Sequence, residues 1–160
     1  MASEGHRLAW ALRFSLESAP LVHYAYPQMY EAPLPSFKLC SPTPDARFEG
    51  SVEVDGERWS LDGWRGMQGH NWGKRHADPY AWSHCATWDE GDDFLLEGVS
   101  ARVALGPVKT PLLTLICVRH QGRDYAFNQP VELLRASGEI GARRWEFRAK
   151  SKEAQIEGSV

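Results

Sequence analysis

Apolar residues recur at every second position through much of this chain, and that period decides what its backbone can become. From Arg7 to Glu17, Leu8, Trp10, Leu12, Phe14 and Leu16 alternate with Ala9, Ala11, Arg13, Ser15 and Glu17. Successive side chains of a strand point to opposite faces, whereas a helix needs apolar positions three and four apart. The pattern predicts a half-buried strand at 7–17. It recurs at 47–54 and 57–62, joined by Asp55-Gly56, a pair suited to the positive φ angles of a tight hairpin turn. Further strands are expected at 80–88, 94–105, 112–120 and 124–128. The polar run Asp89 to Asp93, the pair Gly106-Pro107 and the turn Gln121-Gly122-Arg123 separate them. Residues 131–135 and 143–150 continue the alternation, and no amphipathic helix is expected. Short strands joined by tight turns point to an antiparallel sandwich or an up-and-down barrel.

One long stretch breaks the pattern. Pro20, Pro27, Pro33, Pro35, Pro42 and Pro44 all fall between Ser18 and Asp45. Proline removes a ladder donor and excludes a long helix, so this stretch reads as an extended crossing loop. Val22, Tyr24, Tyr26, Tyr30 and Phe37 remain free to pack, and an ordered loop of this length is often functional.

The chain has 160 residues and a net charge of -3. That length suits a single domain, 1–160, with a real core. No global basic field argues for nucleic acid or an anionic membrane. No run approaches the ~18 apolar residues that would span a bilayer, and the N-terminus MASEGHRLAW lacks the apolar region of a signal peptide. Cys40, Cys85 and Cys117 are odd in number and widely spaced, without a CxxC pair; free thiols in a reducing cytoplasm are expected. The alternation is still running at AQIEGSV, which suggests a fragment, or part of a longer architecture.

The chemistry concentrates in GMQGHNWGKRHADPYAWSHCATW, Gly66 to Trp88. Here stand three of the six histidines and three of the seven tryptophans. Gly66, Gly69 and Gly73 suit a loop or a bulged strand, and His70 between Gly69 and Asn71 is expected at a bend. Tyr80, Trp82, His84, Ala86 and Trp88 would share one strand face, with Ala81, Ser83, Cys85 and Thr87 on the other. The spacing of His70, His76, His84 and Cys85 matches no zinc pattern, so no metal or other cofactor is expected. His84 reads either as a polar group in an apolar pocket or as a core histidine bonded to a backbone carbonyl. Glu97 interrupts the apolar face of 94–105. A carboxyl on an interior face needs a partner or takes up a proton, and an acid so placed can donate it. The alternatives for Glu97 are a bulge that turns it to solvent and an ion pair with Arg102 or Arg119.

Gly69, His70-Asn71-Trp72-Gly73 and Tyr80-Ala81-Trp82 together resemble the lipocalin-like family of tocopherol cyclase, carotenoid 1,2-hydratase (hydroxyneurosporene synthase) and the AttH-like proteins. The similarity covers roughly Asp62 to Glu97. It implies an all-β, antiparallel lipocalin-like (calycin) barrel, with two such barrels in a longer chain. On this resemblance the chain would hold one barrel, or a half-barrel or sandwich, with part of a second at its C-terminal end. The expected function is binding of a small hydrophobic ligand, isoprenoid or lipid-like. An enzyme of this kind would be a metal-free acid catalyst of alkene hydration, cyclisation or isomerisation. His70 and Glu97 are the proton-transfer candidates, and Asn71, Trp72, Tyr80, Trp82 and His84 the ligand-binding ones. The alternatives are a lipid carrier without turnover and a structural half-domain of a longer protein.

Overall fold

The computed structural model describes residues 2–3, 5–74, 76–89, 91, 93–105 and 107–160. Glu90 and Asp92 of the expected polar turn, and Gly106 of the expected break, lie outside the described residues. In chain order the strands are β1 (Ala2–Ser3), β2 (His6–Leu16), β3 (Phe37–Val54), β4 (Glu57–Ser60), β5 (Trp64–Gly73), β6 (Tyr80–Cys85) and β7 (Phe94–Ala101). Then come β8 (Ala104–Leu105), β9 (Val108–Lys109), β10 (Leu113–His120), β11 (Arg123–Phe127), β12 (Ser137–Ile140), β13 (Trp145–Lys150) and β14 (Gln155–Ser159). A 3-10 turn occupies Pro27–Tyr30, and α1 (Pro130–Arg135) lies between β11 and β12. The chain is mostly antiparallel β, as the period-two pattern requires. Among the described residues the sheets remain separate and do not close into a barrel. No helix among them is long and apolar enough to cross a membrane.

The chain divides into two compact units, Met1–Pro20 with Ser41–Gly69, and Leu21–Cys40 with His70–Val160. In the first, β2 runs antiparallel to β3 from Leu8 opposite Val54 to Leu16 opposite Ala46. The β3–β4 hairpin turns at Asp55 and Gly56, with φ of 53° and 88°. Asp55 Oδ1 accepts the Arg7 N–H at 2.7 Å, and Asp62 Oδ1 accepts the Gly50 N–H at 2.9 Å. The apolar face of β2 is not half-buried as its alternation implied. Trp10 is 53 % exposed and Leu16 69 %. Alternation fixes which side chains share a face but not whether anything covers that face.

β3, 18 residues long, starts ten residues earlier than the expected strand at 47–54 and passes through Pro42 and Pro44. The β2 register ends at Ala46, so the donors those prolines lack have no β2 partner to serve. The crossing loop therefore ends at Ser36. β5 replaces the expected bend: His70 lies inside a continuous strand, Trp64–Gly73.

In the second unit, β11, β10, β7 and β6 form one antiparallel sheet, and β12, β13 and β14 another. β7 is buried on both faces. Leu95, Val99 and Ala101 join Leu21, Leu39, Leu115 and Cys117 in one apolar cluster. Leu96 joins Ile116, Val118, Phe127, Trp145 and Phe147 in the other, which ties β7 and β10 to β13 as a two-layer sandwich. Gly98 permits this approach, since a Cβ there would lie 2.5 Å from Ile116 Cδ1 and 2.9 Å from the Trp145 ring. Residues 131–135 are helical rather than extended. Pro130 occupies a first-turn position of α1, and Glu132 Oε2 accepts the N–H groups of Asn128 and Gln129. A six-residue helix shows too little of its period to be recognised against alternation.

Candidate functional site

The site is built on the face of β7 that carries Glu97, Val99 and Ala101. Register places Trp82 of β6 opposite Val99, and Leu115 of β10 opposite Val99 from the other side. His84 and Cys117 flank Glu97 in the same way. The segment 21–40 lies against this face, with Leu21 and Leu39 inside its apolar cluster.

Glu97 does not turn out to solvent. It is 2 % exposed and sits in an unbroken register. Trp82 Nε1–H donates to Glu97 Oε1 at 3.1 Å, and His84 Nδ1 lies 3.4 Å from Oε2. His23 Nε2 approaches Oε1 to 3.2 Å, an ion-pair distance. Its direction is off the line of a hydrogen bond, and neither ring nitrogen of this fully buried histidine completes one among the described residues. Of the two expected arginines, Arg119 pairs with Asp124 at 2.6 Å. His23 gave no signal in the sequence, because it stands in the proline-rich segment where no periodicity assigns a face.

Two thiols report on the same carboxyl. Burial pushes the Cys117 thiol far up, and the negative charge of Glu97, then of Asp124, pushes it further. Cys40 is raised by burial and then by Glu97. All three cysteines are free thiols. Both raised thiols are held protonated and unreactive, since the thiolate is the nucleophile. No group of three His, Cys, Asp or Glu side chains among the described residues is arranged to hold a metal ion.

Two cavities open beside this cluster. The larger, about 310 Å³, is lined by Phe37, Leu39, Met29, Val99, Leu115 and Leu133, among others. The smaller, about 90 Å³, is lined by Phe37, Leu39, Asn71, His76, Tyr80, Trp82 and Val99. They share Phe37, Leu39 and Val99, so they adjoin across one wall. Tyr24 lines the larger cavity, and its OH donates to the Phe37 carbonyl at 3.0 Å. Burial, with lesser help from Tyr30, pushes the Tyr24 hydroxyl up to about 12. Lys38 faces away between the cavity residues Phe37 and Leu39, and its Nζ donates to the Met29 and Ala32 carbonyls, pinning the 3-10 turn. A broad hollow of about 620 Å³ lies along β12, β13 and β14. Four of the five charged side chains that line it are spent on one another, Arg144 on Glu146 and Arg148 on Glu157.

The structure thus brings Asn71, Tyr80 and Trp82 to one small cavity, and Trp82, His84 and Glu97 to one polar cluster. His70 and Trp72 go elsewhere. They stack on each other with ring centres 5.0 Å apart, and Trp72 stacks on Tyr30 at 5.9 Å. In a regular strand His70 and its neighbour Asn71 point to opposite faces, and Asn71 has the cavity side. The chain matches no known family model, no curated protein and no solved structure.

Proposed function

We propose that the second unit is a binding module for a small apolar ligand, with kinship to the lipocalin-like family that the motif around His70 to Trp82 resembles. The observation that carries the reading is the 310 Å³ cavity between segment 21–40 and the β7–β10 face. A concave, mostly apolar cavity of at least ~300 Å³ with few polar groups has the form of a small-molecule site. The motif residues support the same reading, because Asn71, Tyr80 and Trp82 line the adjoining cavity. Binding without turnover is favoured over catalysis: Glu97 lies on neither cavity wall and is screened by the Trp82 indole.

Native mass spectrometry of the purified chain tests this directly. A retained apolar molecule, or stoichiometric uptake of a medium-chain alcohol from buffer, is the expected result. Failure of every apolar probe to bind would reject the reading.

Acid catalysis is the second reading, and one contact favours it. The same indole that lines the small cavity donates its N–H to Glu97. For turnover Glu97 would have to take up a proton and reach the small cavity past the Trp82 indole; it would then protonate an alkene carbon, water would add to the cation, and the proton lost from that water would return to Glu97. Hydration of a short prenyl alkene by the wild type, lost in Glu97→Gln, would establish it; no product from the wild type would remove it.

A further inference from the structure

We infer that the ligand is a medium-chain amphiphile with an uncharged, hydrogen-bonding head, its chain in the larger cavity and its head at Asn71. This rests on the apolar-ligand reading of the same cavity and narrows it by size and by polarity.

Size comes first. A methylene in a liquid occupies roughly the ~30 Å³ share of a water molecule. The larger cavity, about 310 Å³, therefore holds about ten heavy atoms, and the smaller, about 90 Å³, about three. A chain of carotenoid or polyprenyl length would not be enclosed by these volumes.

Polarity comes next. Each polar side chain of the larger cavity already makes one hydrogen bond within the protein. Tyr24 donates to the Phe37 carbonyl, Asn128 Nδ2 donates to the His23 carbonyl at 3.1 Å, and Thr110 Oγ1 accepts the Val103 N–H at 3.0 Å. A polar group on the buried part of a ligand would lose water and gain little, so that part is hydrocarbon. The smaller cavity differs. Its Trp82 N–H is taken by Glu97, but among the described residues nothing hydrogen-bonds the Asn71 side chain. Asn71, His76 and Tyr80 are exposed, so this end opens to water, as the larger cavity also does at Leu34. Among the described residues no Lys, Arg, Asp or Glu lines either cavity. A charged head would meet no Lys, Arg, Asp or Glu there, only the His76 ring, whereas a hydroxyl can both donate to and accept from an amide.

The shape across the strands fits this division. Tyr80 and Trp82 on β6 flank the opening at Asn71, Val99 stands in the shared wall, and Leu115 on β10 and Leu133 on α1 lie on the far side. A chain entering at Asn71 would run across β7 toward α1.

Equilibrium dialysis of the full chain against a series of straight-chain primary alcohols, from hexan-1-ol to tetradecan-1-ol, tests the inference, with decanoate as the charged control. Affinity should rise about fourfold per methylene, the hydrophobic increment, and stop rising between decan-1-ol and tetradecan-1-ol. Decanoate should bind at least about tenfold more weakly than decan-1-ol, the cost of an uncompensated charge. Asn71→Ala, an exposed change that leaves the cores intact, should lower decan-1-ol affinity about fivefold, the loss of one hydrogen bond. A rise that continues undiminished to tetradecan-1-ol overturns the size limit. Decanoate binding as tightly as decan-1-ol overturns the uncharged head, and an unaffected Asn71→Ala overturns its seat. No binding of any alcohol would instead remove the apolar-ligand reading itself.

Discussion

Glu97 is the residue on which the second unit's interior depends most. A buried carboxyl that accepts an indole N–H, binds the His84 ring and lies 3.2 Å from His23 leaves the Trp82 and His84 nitrogens without that partner when removed. Glu97→Ala should cost about 3–5 kcal/mol in denaturant unfolding, the range for breaking a buried charged contact from one side. Glu97→Gln keeps an acceptor for Trp82 and should cost less, about 1–3 kcal/mol. Equal losses in the two variants would mean that charge, not hydrogen bonding, holds the cluster. This residue is legible in the sequence alone, as a polar break in an apolar face. His23 is not, because no repeat in the proline-rich segment says which way a side chain points. For His70 the sequence favoured a bend, on the strength of its flanking glycines; the strand instead turns it onto Trp72. His70→Ala should accordingly leave decan-1-ol affinity within about twofold, against the fivefold fall at its neighbour Asn71.

Tyr24 adds a pH dependence at the same scale. Its folded-state value of about 12 lies above the ordinary 10.0, so the folded protein holds this proton more tightly than the unfolded chain does. The resulting stabilisation is fully present below pH 10 and is lost as pH rises from 10 toward 12. Near-ultraviolet circular dichroism across that interval should show loosening of segment 21–40 in the wild type. In Tyr24→Phe that alkaline step should shrink, and an unchanged step would assign it to another group.

Among the elements, strands were the readable ones and short exceptions were not. The starts of β6, β7, β10 and β11 fall within one residue of the expected runs, as do the ends of β10 and β11, whereas β6 stops at Cys85 rather than 88 and β7 at Ala101 rather than 105. β3 was half hidden by its prolines. α1 was misread, since six residues carry less than two helical turns. The element that matters most for the cavity's length is α1, which supplies Leu133 to the far wall. Leu133→Ala should move the longest favoured alcohol outward by about two methylenes, as the vacated volume is filled by ligand instead of remaining a void. Dialysis with the same alcohol series measures it, and an unmoved limit would place the chain's end elsewhere. Gly98→Ala tests the opposite face of β7. With Ile116 Cδ1 only 2.5 Å from the added methyl, overpacking should cost about 1–3 kcal/mol.

At the level of the whole molecule, the two units differ in how much apolar surface they bury. Both clusters of buried apolar residues lie in the second unit, while β2 in the first exposes Trp10, Phe14 and Leu16. Local opening free energy follows burial and contact density. Backbone amides of β2 should therefore exchange with deuterium roughly a hundredfold faster than those of β7. Comparable protection would indicate that the β2 face is covered in solution. Here the sequence was least informative. The alternation in β2 is as clean as that in β7, yet one face is open to solvent and the other strand is enclosed on both sides.

That enclosure has a consequence for how this protein could diversify. Along β7, Glu97, Val99 and Ala101 face the cavity side, while Leu96, Gly98 and Ser100 face the sandwich. Ser100 there accepts the Trp145 indole N–H at 2.9 Å. Neighbouring codons thus answer to different selective demands. Val99 and Ala101 can drift to suit a new molecule while Leu96, Gly98 and Ser100 stay constant to keep the layers together, so one strand permits changes of taste without a change of architecture.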